Sequence, residues 1–389
     1  MIDRRVLVAV RKVKPDAALR QKDRTDAENV FVRGYKLSAS VGRTAGVFRK
    51  NAGRMPAHPA KPEVFQLPRM RIFMRLFRIF STSAVLVLTV LAFSSCAQSL
   101  SSSASPVSGE RAMEHVLAQV ALGPRPPGSP ELERCREYIA AQMKSFGYVI
   151  EEDVFIADTP YGPIEMKNLI ARRSNVKEGK GVIALATHYD TKLMHGINFV
   201  GANDAGSSTG LLIELGRVLA DDVSGPYDYW FLFFDGEEAF IEWSAFDGTY
   251  GSRHLARKWK EDGTASKIRA LILLDMIGDK DLDIMYDTNS TKVLMDLVFE
   301  TAKKEGLESI LSRYVGQIED DHIPFLDIGV PSVDIIDLNY GPGNSWWHTA
   351  EDTIDKISVE SLEKTGRLVL ALLSRLQKES ILDHIKSAR

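Results

Sequence analysis

The chain has 389 residues, of which 44% are hydrophobic and 26% are charged, a composition typical of a folded globular protein rather than a disordered one. The charge is unevenly distributed: residues 1–69 contain 16 lysines and arginines against 6 acidic residues, whereas residues 97–389 contain 30 against 46. An acidic body argues against nucleic acid as the main partner, because that partner requires a basic surface.

The first 69 residues are basic and contain no long periodic apolar segment. They lie in front of an apparent export signal, and such signals normally stand at the N-terminus of the chain. We therefore expect residues 1–69 to be an N-terminal extension that is not native to the protein, with translation starting at Met70 or Met74. A basic arm that binds nucleic acid is the alternative interpretation.

Residues 70–96 have the layout of a secretory signal peptide. Three arginines precede the short apolar run Ala84–Phe93, and small residues and Cys96 follow it. A run of about ten apolar residues is too short to span a bilayer. The ending Ser-Ser-Cys resembles a bacterial lipobox, which predicts a lipid anchor on Cys96 and export to the bacterial envelope, as a periplasmic or membrane-anchored lipoprotein. Because Phe93 stands where leucine is usual, plain signal cleavage is the alternative.

Residues 97–107 are rich in serine and predict a flexible linker, and residues 108–389 form the expected catalytic domain. Amphipathic spacing predicts helices at Glu131–Phe146, Ser208–Leu219 and Leu362–Leu376, and short apolar runs predict strands at Val182–Ala186, Tyr229–Phe234, Ala270–Leu274 and Val333–Ile336. Strands that are apolar throughout and alternate with helices indicate an α/β fold. We expect a three-layer sandwich around a mixed, largely parallel sheet.

Polar residues with metal-binding or proton-carrying groups follow the predicted strands: His188, Asp190, Asp204, Glu237, Glu238, Asp275 and, near the C-terminus, His348. Taken singly, a histidine or aspartate there is most often a cap or turn residue. The carboxyl ends of parallel strands meet at one edge of a sheet, so these groups can converge. Two histidines with several carboxylates are suitable ligands for Zn²⁺, and so many acids without a cation would repel each other.

The adjacent pair Glu237 and Glu238 predicts a division of roles. Neighbouring side chains that leave a strand point to opposite sides, so one carboxylate can bind a metal while the other faces the substrate as a proton carrier. The spacing alone therefore favours a metal-dependent enzyme of the hydrolase type.

Several sequence strings carry a resemblance to a known family: HYDTK at 188–192, FFDGEEAF at 233–240, YGSRHLA at 250–256, DDHIPFL at 320–326, GVP at 329–331 and WHT at 347–349. Together they resemble the zinc aminopeptidases of the M28 type and, within that zinc exopeptidase-like fold, the glutaminyl cyclase branch. The resemblance extends from about Ser108 to the C-terminal helix.

The resemblance implies one catalytic zinc ion, held by Asp204, Glu238 and His348. It also implies that Glu237 is the acid and base, and that Asp275 and Asp320 form a hydrogen-bonded carboxylate network with it. Trp243 and Trp347 would line the substrate pocket. His188 and Asp190 would be supporting residues or would hold a second metal, since the aminopeptidases bind two.

The implied reaction converts the N-terminal glutamine of a peptide or protein to pyroglutamate and releases ammonia. The main alternative is a two-zinc aminopeptidase that hydrolyses the first peptide bond, and a second is a metal-free binding domain that has kept the fold. Thr187 stands where secreted animal members have a disulfide cysteine, and Cys135 is expected to be structural. A monomer is the default expectation.

Overall fold

The structure, a computed structural model, describes residues 106–174, 179–222, 225–378 and 380–387. The predicted extension, the signal peptide with Cys96 and nearly all of the linker lie outside these residues. Within the described part, no helix is both long enough and apolar enough to cross a membrane.

The helices are α1 (Gly109–Val120), α2 (Pro130–Ser145), α3 (Gly206–Leu219), α4 (Tyr250–Asp262), α5 (Lys292–Lys304), α6 (Ile323–Asp327), α7 (Val359–Lys378) and α8 (Ile381–Ser387). The strands are β1 (Val149–Thr159), β2 (Gly162–Arg172), β3 (Gly181–His188), β4 (Tyr227–Phe234), β5 (Ile268–Asp275), β6 (Ile284–Asp287), β7 (Leu311–Gly316) and β8 (Ser332–Ile336). Short 3₁₀ turns lie at Thr264–Lys267, Glu308–Ile310 and Ile354–Lys356.

Six strands form the main sheet in the order β1-β2-β4-β3-β5-β8. Strands β4, β3, β5 and β8 are parallel to one another, whereas β1 and β2 form an antiparallel hairpin that pairs antiparallel with β4. Strand β3 lies in the middle and is buried from Val182 to His188, which explains its continuous apolar sequence. Strands β6 and β7 make a separate parallel pair. The predicted mixed, largely parallel sheet is confirmed.

Helices cover both faces of the sheet. On one face, Leu211 and Leu215 of α3 pack in the same core as Leu372 of α7 and the side chains of α1 and α2. On the other face, Trp259 of α4 and Phe325 of α6 pack against the strands. Burial of apolar side chains in two cores, one on each face, makes the three-layer sandwich, as predicted.

Cys135 lies in helix α2 and is buried. Helix α2 begins after Ser129, whose hydroxyl accepts a hydrogen bond from Leu132 N at 3.1 Å, and has Pro130 in its first turn, a common helix start. Cys135 lies on the buried face of this helix and has no exposed surface. Burial raises the pKa of its thiol to about 11, which keeps the thiol protonated and is consistent with a structural role.

Candidate metal centre and active-site pocket

A cavity of about 470 Å³ opens where the parallel strands end. Strand β3 ends at His188, β5 ends at Asp275, and Glu237 and Glu238 follow β4 by a few residues. The cavity is lined by Lys192, Asp204, Glu237, Glu238, Ile241, Trp243, Asp275, Met276, Gln317, Ile318, Glu319, Asp320, Ile336, Leu338, Trp347 and His348. Asp204, Glu237, Glu238, Asp275 and His348 therefore converge on one cavity as predicted, whereas His188 and Asp190 are buried and do not line it.

One cluster in this cavity consists of Asp204, Glu238 and His348. The His348 Nε2 atom lies 3.0 Å from Glu238 Oε1 and 3.2 Å from Asp204 Oδ2. The three ligand atoms all lie within 4.8 Å of one another. One imidazole and two carboxylates are a suitable ligand set for Zn²⁺, and the cluster is the same set that the sequence resemblance implied.

The pKa values in this cluster show that its buried carboxylates are stabilised by positive charge on the neighbouring histidines. Burial lowers the pKa of His348, but the charge of Glu238 and the hydrogen bond to Asp204 outweigh this effect and raise the pKa to about 10. Burial alone would raise the pKa of Asp204, but His188 and His348 hold it well below its usual range. Buried carboxylates that require protonated histidines are equally well neutralised by a divalent cation, so these residues fit a metal.

A second cluster adjoins the first and shares Asp204 with it. His188 Nε2 lies 3.2 Å from Asp204 Oδ1 and 3.2 Å from Asp275 Oδ1. These ligand atoms also lie within 4.8 Å of one another. Asp204 directs one carboxylate oxygen to each cluster, so the geometry offers places for two metal ions on either side of one aspartate.

Asp190 supports both the histidine and the glutamate pair. Its Oδ1 lies 3.4 Å from His188 Nδ1, on the side of the ring opposite the second cluster. The same carboxylate accepts hydrogen bonds from the backbone of Glu237, at 3.1 Å, and of Glu238, at 3.3 Å. Asp190 therefore fixes the ring of His188 and the turn that carries both glutamates, as partners of metal ligands commonly do.

The loop that presents Asp204 is held by a residue that sequence reasoning missed. Asp352 accepts hydrogen bonds from the backbone N–H of Asn203, at 2.8 Å, and of Asp204, at 3.1 Å. Gly201 has φ 54°, and a Cβ there would lie 2.0 Å from Asp204 O. The peptide bond between Asp204 and Ala205 is cis. Because Asp352 is about 150 residues away along the chain, nothing in the local sequence indicates this contact.

Glu237 lies in the cavity with 8% of its surface exposed. Burial raises its pKa well above the usual range, His188 opposes this, and the charges of Glu238 and Asp320 add to it. Its Oε2 lies 3.9 Å from His188 Nδ1, and it belongs to neither metal cluster. A carboxylate with a raised pKa that remains free of metal ligation can accept and return a proton near neutral pH.

The predicted hydrogen-bonded network of Glu237, Asp275 and Asp320 has a different form in the structure. Asp275 contacts His188, and Asp320 Oδ1 accepts a hydrogen bond from Asp321 N while its Oδ2 has no partner. Among the described residues, these three carboxylates make no direct hydrogen bond to one another. The physical reason is that the carboxylate of Asp275 is paired with His188. Two carboxylates can also form a hydrogen bond to each other only if they share a proton. Asp320 is fully buried, which raises its pKa, so it can hold such a proton.

Two tryptophans stand at the opening of the cavity. Trp243 is 38% exposed and Trp347 is 37% exposed, and both line the cavity wall. The Trp347 ring stacks on the His348 ring, with centroids 4.1 Å apart and an interplanar angle of 25°. The structure therefore places an indole against one side of the first cluster and a second indole at the rim.

Lys192 is a further cavity residue to which sequence reasoning gave no role. Its Nζ donates to Ala239 O at 2.8 Å and lies 3.4 Å from Glu238 Oε2. The lysine thus holds the backbone after the glutamate pair and places a positive charge beside a metal-ligand carboxylate. Its place at the end of the HYDTK string, directly after a strand end, was the available signal.

Comparison with known proteins agrees with this geometry. Residues 168–373 match Peptidase family M28, a span that contains every residue of both clusters. A glutaminyl-peptide cyclotransferase of Drosophila melanogaster is 34% identical over 281 residues, which cover 66% of this chain and 76% of that protein. A relative of the same name from Dictyostelium discoideum is 31% identical, over 67% of this chain and 82% of that protein.

The chain belongs to the glutaminyl-peptide cyclotransferase branch of peptidase family M28.

Solved structures support the same assignment. The glutaminyl cyclase of an Acidobacteriales bacterium is 44% identical and matches with a TM-score of 0.67, over 72% of this chain and 99% of that chain. The glutaminyl cyclase of Porphyromonas gingivalis is 28% identical, with a TM-score of 0.63, over 70% and 100%. A leucine aminopeptidase precursor of Bacteroides thetaiotaomicron, 24% identical with a TM-score of 0.60, shares the fold. The resemblance to the glutaminyl cyclase branch of M28, first seen in the sequence strings, is confirmed.

Proposed function

We propose that the protein converts the N-terminal glutamine of peptides or proteins to pyroglutamate with release of ammonia. The observation that carries the proposal is the cluster of Asp204, Glu238 and His348, with Glu237 beside it and free of it, in one cavity. The relatives named glutaminyl-peptide cyclotransferase add support, because they match over most of their own length.

We assign one zinc ion to Asp204, Glu238 and His348. When bound there, zinc acts as a Lewis acid toward the side-chain amide carbonyl of the substrate. Trp243 and Trp347 are assigned to the walls that hold the glutamine side chain, and they reduce its contact with water. Lys192 steadies Glu238 and the backbone that follows it.

Glu237 carries the proton during the reaction. The α-amino nitrogen of the substrate attacks the carbonyl carbon of its own side chain, so that a C–N bond forms and the bond to the amide nitrogen breaks. Glu237 accepts the proton that the attacking amine loses and returns it to the leaving nitrogen, which departs as ammonia. Burial, together with the charges of Glu238 and Asp320, keeps the pKa of Glu237 high, and Asp275 contacts His188 beside it. No nucleophile from the protein is consumed.

A two-metal aminopeptidase is the second candidate function. The second cluster favours it, because His188, Asp204 and Asp275 have the ligand types and spacing for another ion. In that case the product would be free glutamine and a shortened peptide. A metal-free binding domain is disfavoured, since both ligand clusters and the neighbouring Glu237 are retained.

We further propose that residues 1–69 are not native, that residues 70–96 direct export, and that residues 97–107 tether the catalytic domain 108–389 to a lipid on Cys96. The three arginines, the apolar run and the lipobox-like ending in the sequence support this. The protein is then periplasmic or membrane-anchored, and we propose separately that it is a monomer. Mass spectrometry of protein made in a bacterial host tests this, because Cys96→Ser should abolish lipid attachment and leave the catalytic domain unchanged in mass.

Ammonia release tests the proposed reaction. The protein should release ammonia from a peptide that begins with glutamine, lose this activity after treatment with a strong chelator, and regain it with one equivalent of zinc. A peptide with an acetylated N-terminus is the control and should release none, because its nitrogen cannot attack. Equal release from both peptides would show simple amide hydrolysis and would contradict cyclisation.

A further inference from the structure

Three cavities adjoin one another on the surface beside the metal clusters. The active-site cavity shares Ile241 with a second cavity of about 410 Å³. The second cavity shares Asp158 and Phe246 with a third, of about 400 Å³. Because neighbouring cavities share lining residues, they lie side by side, and we call the second and third cavities together the outer groove. It leads from the reactive centre to the edge of the main sheet.

The outer groove has unusually exposed apolar side chains. Phe246 is 84% exposed, Ile241 66% and Ile156 64%, and each lines at least one of the cavities. A single exposed apolar residue is ordinary, but a contiguous set beside an active site is typical of a binding surface. Covering these side chains with apolar groups of a ligand removes them from water, which favours binding.

The far end of the outer groove carries unpaired positive charge. Arg253 and Arg257 of α4 line the third cavity, and within the residues that the structure describes neither forms an ion pair. The guanidinium of Arg253 donates to Ala245 O and lies 5.1 Å from the centre of the Tyr250 ring. Arg257 is exposed. Asp158 is the one acidic residue that lines the third cavity, so the two arginines give this cavity a net positive charge, whereas the acids Asp158, Glu242 and Asp247 line the second cavity.

The groove also runs beside a strand edge. Strand β1 pairs with β2 through all eleven of its residues, and no other described strand pairs with its opposite edge. Phe155, Ile156 and Ala157 of this strand line the third cavity. A free strand edge offers backbone N–H and C=O groups to an extended peptide, while neighbouring pockets receive its side chains.

We infer that the outer groove binds the residues that follow the N-terminal glutamine of a peptide substrate, and that Arg253 and Arg257 select an acidic side chain among them. The inference rests on the proposed function, which places the glutamine in the first cavity; the rest of the peptide then leaves past Ile241, the residue that the first two cavities share. Extended chain advances about 3.3 Å per residue, so a groove of this kind contacts several residues. The specificity is then for acidic peptides rather than for glutamine alone.

Kinetics on a set of peptides test the inference. The substrates are a Gln-Xaa dipeptide amide and decapeptides that begin with glutamine and carry one glutamate, or one lysine, at each position from three to eight. We expect the wild-type protein to favour glutamate over lysine in kcat/KM by about fivefold at one or two positions, the effect of one partly exposed ion pair. Equal values for glutamate and lysine at every position would overturn the inference.

The variant Arg257→Glu should reverse this preference, so that the lysine peptide becomes the better substrate at the same positions. The matched control is Lys260→Glu, which makes the same charge change at an exposed position of the same helix outside the groove. It should keep the wild-type ratio. If both variants shift the ratio equally, the effect is one of overall charge and the groove is not the cause.

The dipeptide separates this inference from the proposed function. If the wild-type protein does not cyclise the dipeptide or any decapeptide, the proposed reaction is wrong. The groove is then judged by the binding of fluorescently labelled decapeptides, measured by anisotropy. Tighter binding of the glutamate peptides, lost in Arg257→Glu, supports the groove, and equal binding of both sets contradicts it.

Discussion

At the scale of single residues, Glu237 is a buried acid that lines the cavity and belongs to neither metal cluster. The substitution Glu237→Gln keeps the size of the side chain and removes its ability to carry a proton. We expect the variant to bind zinc as the wild type does and to lose roughly a hundredfold or more in kcat, the usual contribution of general acid–base catalysis. Metal analysis and steady-state kinetics on the same sample check this. Near-normal turnover in a zinc-loaded variant would assign the proton transfer to another group.

The two histidines distinguish one metal from two. His348 belongs to the first cluster and His188 to the second, while Asp204 belongs to both. We expect His348→Ala to lose the zinc ion and His188→Ala to retain one ion per chain, because the single zinc is assigned to the first cluster. Elemental analysis after dialysis measures both. Two ions in the wild type, with one lost in each variant, would favour the aminopeptidase mechanism.

Some residues of the site could be predicted from the sequence and others could not. The ligands and Glu237 follow strand ends, so their convergence follows from the parallel sheet. Asp352 could not be found, because it reaches Asp204 from the far end of the chain. The position of His188 between Asp275 and Asp190 was also not predictable, since spacing does not show which carboxylates turn toward one ring.

At the scale of elements, the loop between β4 and α4 carries Ile241 and Trp243 to the cavity. Asp247 shapes this loop by accepting hydrogen bonds from the backbone N–H of Phe240, at 2.8 Å, and Ile241, at 2.9 Å, and from Tyr250 OH, at 2.9 Å. We therefore expect Asp247→Ala to free the loop and to weaken substrate binding.

For Asp247→Ala we expect a rise in KM of about tenfold with a smaller change in kcat, since a loss of about 1.4 kcal/mol from several hydrogen bonds has this effect. Steady-state kinetics on a dipeptide substrate measure it. Glu308→Ala, in a 3₁₀ turn outside the cavity lining, is the control. A fall in kcat alone, with KM unchanged, would show that the loop serves the chemistry rather than binding.

The hairpin of β1 and β2 is fastened to α4 by Asp153. Its carboxylate lies 2.9 Å from Lys258 Nζ and 3.4 Å from His254 Nε2, and it accepts a hydrogen bond from Asn168 at 3.0 Å. Burial opposes ionisation, but these partners outweigh it and lower the pKa of Asp153 from 3.8 to about 2. Because the pKa is lower in the folded protein, the interaction stabilises it above pH 4 and is lost as the pH falls toward 2.

We therefore expect Asp153→Asn to lower the free energy of unfolding by about 1–2 kcal/mol at pH 7. The difference from the wild type should shrink at pH 3, where the folded protein begins to protonate Asp153. Urea unfolding at the two pH values measures both differences. The same difference at pH 7 and pH 3 would show that the effect is one of packing and not of charge.

Whether a strand of the main sheet was predicted from the sequence depended on how it is buried. Strands β3, β4, β5 and β8 were found because they are buried on both faces and therefore read as continuous apolar runs. Strands β1 and β2 were missed, because β1 and the first half of β2 alternate between more and less exposed residues, and both strands contain several charged side chains. The sheet edge, and with it one side of the outer groove, therefore became visible only in the structure.

At the scale of the whole molecule, the sequence predicted the three-layer fold and the family, since the strand–helix alternation and several long motifs point the same way. The shape of the surface beyond the cavity could not be predicted. It depends on how the hairpin meets the loop at residues 240–249 and α4, which lie far from the hairpin in sequence. These contacts decide how a long substrate lies on the protein.

The most direct test of the account is the mass of the product from a Gln-Xaa peptide incubated with zinc-loaded protein that begins after Cys96. Intramolecular attack removes one ammonia and leaves the peptide chain intact, so the mass should fall by about 17 Da, with no free glutamine formed. Release of free glutamine with a peptide shortened by one residue would contradict the account. It would assign the protein to the two-metal aminopeptidases, with His188 and Asp275 as ligands of the second ion.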